Sequence, residues 1–151
     1  MIANIVPTKI GFTREGWFAA FIPALLPKKS KGNADYIEGI LFPVMRRFFQ
    51  DNARILFPKS VLIYRHIYPH DRPERKYRDH DNIEINAVTN IIALYVMRDD
   101  SPKYCNHYYC SAAGNEDRTE VYVVPLPEFT DWLAAEKSFP DEGVNLYENH
   151  L

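Results

Sequence analysis

Residues 59–82 read KSVLIYRHIYPHDRPERKYRDHDN, and the rest of the chain is organised around this stretch. Its first ten residues are mostly aliphatic, β-branched or aromatic, a composition that predicts a β-strand from Lys59 to Tyr68. A polar loop follows this strand and leads into the acidic motif RDHDN at residues 78–82. The stretch therefore predicts a strand of the core that runs directly into the segment from which a chemistry can be argued.

The loop between the strand and the motif is rich in cations. It contains two acids, Asp71 and Glu74, and four cations, which are Arg72, Arg75, Lys76 and Arg78. A nuclease needs this juxtaposition, because cations hold phosphates beside carboxylates that hold a metal ion. An equally simple interpretation is that the cations neutralise the neighbouring acids.

A second basic loop lies earlier in the chain, with Lys28, Lys29 and Lys31 close together. Its sequence does not match a Walker-type phosphate loop. A solvated loop is the favoured interpretation, and a phosphate contact is the alternative.

Acidic side chains lie on both sides of the next apolar run. Asp79 and Asp81 precede it, and Asp99 and Asp100 follow it. If Asp79 and Asp81 lie on extended backbone, they share one face and His80 takes the other. A helix after the motif and a short extended return would bring Asp99 or Asp100 back towards Asp81. Carboxylates grouped in this way suit Mg²⁺.

The same acids also have a purely structural interpretation. Asp81 and Glu84 have the spacing of a capping box ahead of an apolar run. The sequence Asp99-Asp100-Ser101-Pro102 is typical of an ordinary turn. Helix caps and turns therefore stay open as an alternative to a metal site.

The remaining pattern predicts one α+β domain over residues 1–151, with a mixed or antiparallel sheet packed on helices. Three further features are predicted: Pro43 lies inside the first helix, residues 114–117 form a turn, and the segment from about Ser138 onwards has little to hold it in the fold. The predicted elements, in order, are a strand at 16–22, an amphipathic helix from Asn33 to about Arg54, the strand at 59–68, a helix at 82–92, an extended piece at 95–97, hairpin strands at 104–112 and 119–124, and a helix from Pro127.

Charge is unevenly distributed along the 151 residues. Residues 1–114 hold 16 Lys and Arg against 11 Asp and Glu, a net charge of +5, whereas residues 115–151 hold 2 against 9, a net charge of -7. The basic part permits a polyanionic partner. The acidic part is expected to be a solvated face, with screening of a basic groove as the alternative. No apolar run approaches the ~20 residues of a membrane span, so no membrane association and a cytoplasmic location are expected.

The motif at residues 78–82, followed by Asp99-Asp100-Ser101, resembles the signature of the RusA-like Holliday junction resolvases. In that family a basic stretch leads into Asp-x-Asp-Asn at a helix start, and a paired Asp-Asp follows at about this distance. The resemblance covers about residues 16–124, because the family also has an early strand, an amphipathic helix, a strand entering the motif and a terminal hairpin. It implies a RusA-like fold to which residues 126–151 add an acidic helix and tail.

The resemblance also implies an activity, which is Mg²⁺-dependent, structure-selective cleavage of DNA. Asp79, Asp81 and Asp100 would be the catalytic carboxylates and, with Asp99, the metal ligands. The family acts as a homodimer on four-way junctions, so branched DNA and a second copy of the chain are the expected partners. The residues expected to contact the DNA backbone are Arg72, Arg75, Lys76 and Arg78.

This sequence departs from the family pattern at one position. The family carries a lysine, with a role in catalysis, three residues after the Asn of its motif, and this chain has Ile85 there with Glu84 beside it. Lys76 or Arg78 could replace the missing cation. Two alternatives stand beside the nuclease: a catalytically impaired RusA-like module that binds nucleic acid or protein, and an unrelated α+β domain whose acids are caps and turns.

Overall fold

The computed structural model describes residues 8–28, 35–52, 56–99 and 101–147, with the backbone alone for 35–38. Within these ranges the chain forms one mixed sheet of five strands in the order β1-β2-β5-β3-β4. The strands are β1 (Lys9–Phe12), β2 (Phe18–Ile22), β3 (Ser60–Pro69), β4 (Cys105–Gly114) and β5 (Arg118–Pro125), and the helices are α1 (Asp35–Asp51), α2 (Asn86–Val96) and α3 (Phe129–Glu136). The predicted α+β class and mixed sheet are confirmed.

The predicted strand at 59–68 is the interior strand β3, and it is buried on both faces. Leu62 and Tyr64 belong to the apolar cluster that α1 and α2 cover. Val61 and Ile63 belong to the cluster on the opposite face, with Trp132 of α3. Alternation along one strand therefore supplies both cores, and β3 is held from two sides up to the point where the cationic loop begins.

β4 and β5 do not form the predicted hairpin, and that expectation was wrong. β3 lies between them, parallel to β4 and antiparallel to β5. The connection crosses the end of β3, where the backbone N–H of His70 donates to the carbonyl of Gly114 at 3.1 Å. Two apolar segments on either side of a turn correctly predict two strands. They do not predict which strands are neighbours, and the more apolar β3 lies between β4 and β5 in the interior of the sheet.

α2 begins and ends later than predicted. The residues of the acidic motif from His80 to Asn82 form a separate 3-10 turn, and the helix begins only at Asn86. Its start is capped by Glu84, whose carboxylate accepts a hydrogen bond from the N–H of Asn86 at 2.7 Å. Residues 95 and 96 are helical rather than extended, and Met97 forms a bridge with Phe57 just before β3. The chain therefore has no extended return towards the motif in this segment.

The C-terminal segment is better held than predicted. Phe12 of β1, a strand that the sequence analysis missed, exchanges two backbone hydrogen bonds of 2.7 Å with Tyr147. Phe139, Val144 and Leu146 pack against the core on the α3 side. The last described residue thus pairs with the end of β1.

Two further features concern the helices. Pro43 lies inside α1, as predicted, whereas the predicted helix start at Asn33 falls outside the described residues. None of the described helices is long and apolar enough to cross a membrane.

Candidate nucleic-acid interface

An open cleft of about 670 Å³ lies where the chain leaves β3. All four cations predicted to contact DNA line it, together with Lys28 of the earlier basic loop. Its lining residues are Lys28, Pro69, Asp71, Arg72, Pro73, Arg75, Lys76, Tyr77 and Arg78. Five cations and one acid thus share one concave surface on a chain whose net charge is -2.

Local chain geometry explains this convergence. Pro69 ends β3, and Pro73 precedes a 3-10 turn over Glu74–Lys76, so the loop folds back over a short distance. The loop at Lys28 is tied to the motif by a bridge between Lys28 and Ile83. The N–H of Glu84 also donates to the carbonyl of Pro27 at 2.9 Å. Lys28 of the earlier basic loop is therefore a neighbour of the acidic motif, whereas Lys29 and Lys31 lie outside the described residues.

The cations of the cleft divide into two kinds. Arg72 donates to Asp117 at 3.1 Å and stacks over Tyr68, and Arg78 donates to the carbonyl of Leu26. Arg75 and Lys76 are exposed, and no ion pair within the described residues holds either of them. Arg72 and Arg78 therefore shape the cleft, and Arg75 and Lys76 offer their charge to a ligand.

The ion pairs do not support the interpretation that the cations of this loop neutralise its own acids. Asp71 and Glu74, the acids of the same loop, form no ion pair with its four cations within the described residues. Arg72 instead reaches Asp117, the residue immediately before the distant strand β5.

Asp79 and Asp81 are exposed at the turn that follows Arg78. Asp79 has extended backbone and its carbonyl accepts a hydrogen bond from the N–H of Asn82 at 3.0 Å, whereas Asp81 lies within the turn. The period-two argument for a shared face therefore does not apply to this pair. The two carboxylates are nevertheless close in the chain, directed to solvent, and next to the basic cleft.

Asp99 lies at the other end of α2 from this pair. The helix runs from Asn86 to Val96, about 16 Å at 1.5 Å per residue. Asp99 lines a separate depression with Asn90, Ala93, Leu94 and Arg98. Asp100 lies outside the described residues, and within the described ranges no group of three or more His, Cys, Asp or Glu side chains could hold a metal ion.

Ile85, which stands in place of the family's lysine, is half-buried and packs against the core between the sheet and the helices. Its carbonyl accepts a hydrogen bond from the hydroxyl of Tyr64 at 3.3 Å. This position therefore serves the packing of α2 on β3.

The sequence analysis missed a pair of histidines beneath the motif. His80 is half-buried and its Nε2 lies 2.8 Å from Oγ of Ser111 on β4. His66 of β3, whose ring centre is 5.7 Å from that of His80, is only 1% exposed, and neither of its ring nitrogens has a hydrogen-bond partner among the residues that the structure describes. Burial, assisted by the nearby charges of His80 and Arg78, lowers the pKa of His66 to about 4. A histidine on a strand gives no signal in sequence that would show it to be buried without a partner.

Comparison with known proteins places the chain in a family. The family model described as "Family of unknown function (DUF6100)" matches residues 1–150, so the chain belongs to this family. No curated protein matches it.

Proposed function

We propose that this member of the DUF6100 family binds the phosphate backbone of DNA through the basic cleft, with branched DNA such as a four-way junction as its ligand. The observation that carries the proposal is the convergence of five cations, from two separate loops, on one open surface. Phosphate contacts from Lys and Arg provide most of the affinity of non-specific DNA binding. The preference for branched DNA rests on the resemblance to the RusA-like resolvases.

Replacement of Arg75 and Lys76 by alanine is the direct test. If each side chain contacts one phosphate, the slope of log Kobs against log salt concentration should fall by about 2 for R75A/K76A. Affinity for a four-way junction at moderate salt should fall on the order of tenfold or more, since tenfold corresponds to only about 1.4 kcal/mol. Fluorescence anisotropy with labelled junction DNA in EDTA measures both quantities.

The matched control is R46A/R47A, which removes the same charge from an exposed arginine pair on α1. It should leave the salt slope close to that of the unmodified protein. An equal loss of slope in both variants would show that net charge, rather than the cleft, governs binding, and unchanged binding by R75A/K76A would refute the assignment of the cleft.

Mg²⁺-dependent cleavage of the bound DNA is the second candidate function. It is favoured by the exposure of Asp79 and Asp81 immediately after Arg78 of the cleft. Mg²⁺ takes one or two carboxylates together with substrate phosphates, so this pair fits as the protein's share of a site. When bound, the ion would supply an activated water and stabilise charge on the phosphate. Asp100 stays a proposed ligand through the resemblance alone, whereas the resemblance's other ligand, Asp99, lies at the far end of α2 from this pair.

In this second candidate, each residue has a separate role. Arg75 and Lys76 hold the DNA backbone, and Asp79 and Asp81 hold the metal ion beside it. Because the guanidinium of Arg78 is engaged with Leu26, Lys76 is the better replacement for the missing lysine. If no cation replaces the lysine that the family carries at the position of Ile85, the protein would bind nucleic acid without cleaving it.

The carboxylate assignment predicts the effect of Asp81→Asn. Incision of a four-way junction with Mg²⁺ should fall by about 10²–10³-fold, the loss expected when several kcal/mol of metal-derived stabilisation disappear. Junction affinity in EDTA should be unchanged. Single-turnover cleavage on a sequencing gel measures the rate, and Asp51→Asn, an exposed acid on α1, is the control. Absence of metal-dependent incision by the unmodified protein at stoichiometric concentration would reject cleavage and leave the DNA-binding proposal standing.

A further inference from the structure

Tyr68 is fully buried and lies at the end of β3, where the cationic loop of residues 70–78 begins. Its side chain contacts that loop at several points. The backbone N–H of Arg78 donates to its hydroxyl at 3.1 Å. Its ring stacks on that of Tyr77 with 4.0 Å between the ring centres, and the guanidinium carbon of Arg72 lies 5.4 Å from its ring centre. One side chain anchored in the sheet therefore contacts the loop near both of its ends.

Arg75 and Lys76 lie between these contact points, within the short 3-10 turn Glu74–Lys76. Both side chains are exposed, and no ion pair within the described residues holds either of them. Their place in the cleft is therefore determined by the backbone of the loop. That backbone continues directly into Tyr77, which Tyr68 holds by stacking.

We propose that Tyr68 is a positioning residue for DNA binding, which holds the cationic loop in one conformation and so places Arg75 and Lys76 at the phosphate backbone. The inference rests on the proposed DNA binding at the cleft, and it adds a buried residue that acts through the loop. A loop that is already ordered in the free protein does not lose conformational freedom when the ligand binds. Preorganisation of this kind raises affinity without adding a contact to the ligand.

Another tyrosine of β3 supplies a matched control. Tyr64 is also fully buried, and the period of two along a strand places it on the same face as Tyr68. Its hydroxyl lies 2.7 Å from that of Thr89 and 3.3 Å from the carbonyl oxygen of Ile85, so it stabilises the start of α2 rather than the cationic loop. Y64F and Y68F each remove one buried hydroxyl and no charge. A general loss of stability would therefore affect both variants.

Y68F is expected to weaken binding of a four-way junction by roughly three- to tenfold, the effect of losing one hydrogen bond that orders the loop. The slope of log Kobs against log salt concentration should stay that of the unmodified protein, because Arg75 and Lys76 are still present. Y64F should change neither quantity. Fluorescence anisotropy in EDTA measures both, and urea unfolding compares the stability of the two variants. A loss of affinity for Y68F no greater than that for Y64F would overturn the inference.

Amide hydrogen exchange, measured by NMR without DNA, tests the ordering of the loop separately. The amide of Arg78 loses its acceptor in Y68F, so exchange at Arg78 and in residues 74–77 should be roughly three- to tenfold faster, and Y64F should leave it unchanged. Unchanged exchange in Y68F would overturn the inference whether or not the protein binds DNA. Failure of the unmodified protein to bind a junction would refute the proposed function and, with it, the role of Tyr68 in binding, whereas the exchange rates would still show whether Tyr68 orders the loop.

Discussion

Replacing Glu120 by alanine is expected to lower the free energy of unfolding by roughly 3–5 kcal/mol, the cost of removing one partner from a buried ion pair. Glu120 of β5 is fully buried, and three donors surround its carboxylate. Arg65 donates to it at 3.0 Å, Arg118 at 2.7 Å and the hydroxyl of Tyr122 at 2.8 Å. The substitution would leave the guanidinium of Arg65, which is itself only 5% exposed, with one of its two carboxylate partners.

The same network ties three elements together. Arg65 of β3 donates through Nε to Glu136 at the end of α3, at 2.9 Å, and through Nη1 to Glu120 on β5. Burial by itself would lower the pKa of Arg65, but the charge of Glu120 and the hydrogen bonds that Arg65 donates to Glu136 and Glu120 raise it. Loss of Glu120 is therefore expected to loosen α3 as well as the sheet.

Urea unfolding of E120A against the unmodified protein measures this cost from the midpoint and slope. Glu116→Ala, at an exposed position four residues earlier in the chain, is the control and should change stability by no more than about 0.5 kcal/mol. A change for E120A as small as that of the control would show that the network contributes nothing to folding.

The Glu120 network also shows where sequence reasoning stops. The acidic residues after 114 were expected to form a solvated face, yet Glu136 pairs with Arg65 and Glu128 accepts a hydrogen bond from the indole of Trp17 at 2.9 Å. The partner of a buried charge lies far away in sequence, so no local pattern could identify Glu136.

The same physical limit explains the outcome for the candidate site. The four cations are neighbours in sequence, so a single loop with two prolines was enough to bring them to one cleft, and local chemistry predicted them. The approach of Asp99 to Asp81 depended on where α2 ends. A helix longer at its C-terminal end by one turn carries Asp99 away, and sequence fixes helix boundaries poorly because packing on the sheet decides the last turn.

His66 carries the second large prediction, because it is a buried titratable group for which the described part of the chain provides no hydrogen-bond partner. Its pKa is lowered from 6.5 to about 4 by burial and by the charges of His80 and Arg78. As pH falls below 6.5, the unfolded chain binds a proton that the folded chain does not accept until about pH 4. The contribution of neutral His66 to the free energy of unfolding is therefore fully present above pH 6.5 and is lost progressively as the pH falls towards 4.

Between pH 8 and pH 5 this one group should cost the unmodified protein about 2 kcal/mol of unfolding free energy. His66→Phe and His66→Leu remove the titration and should flatten this part of the pH dependence, whatever each substitution does to packing. At pH 8, His66→Phe should be no less stable than the unmodified protein, since two buried nitrogens without partners disappear with the imidazole. Urea unfolding at several pH values measures the slope of the unfolding free energy against pH. This slope reports protonation alone, because a change in packing shifts the unfolding free energy equally at every pH. Retention of the full slope in both variants would mean that other groups produce the acid sensitivity and that His66 accepts its proton as readily in the fold as in the unfolded chain.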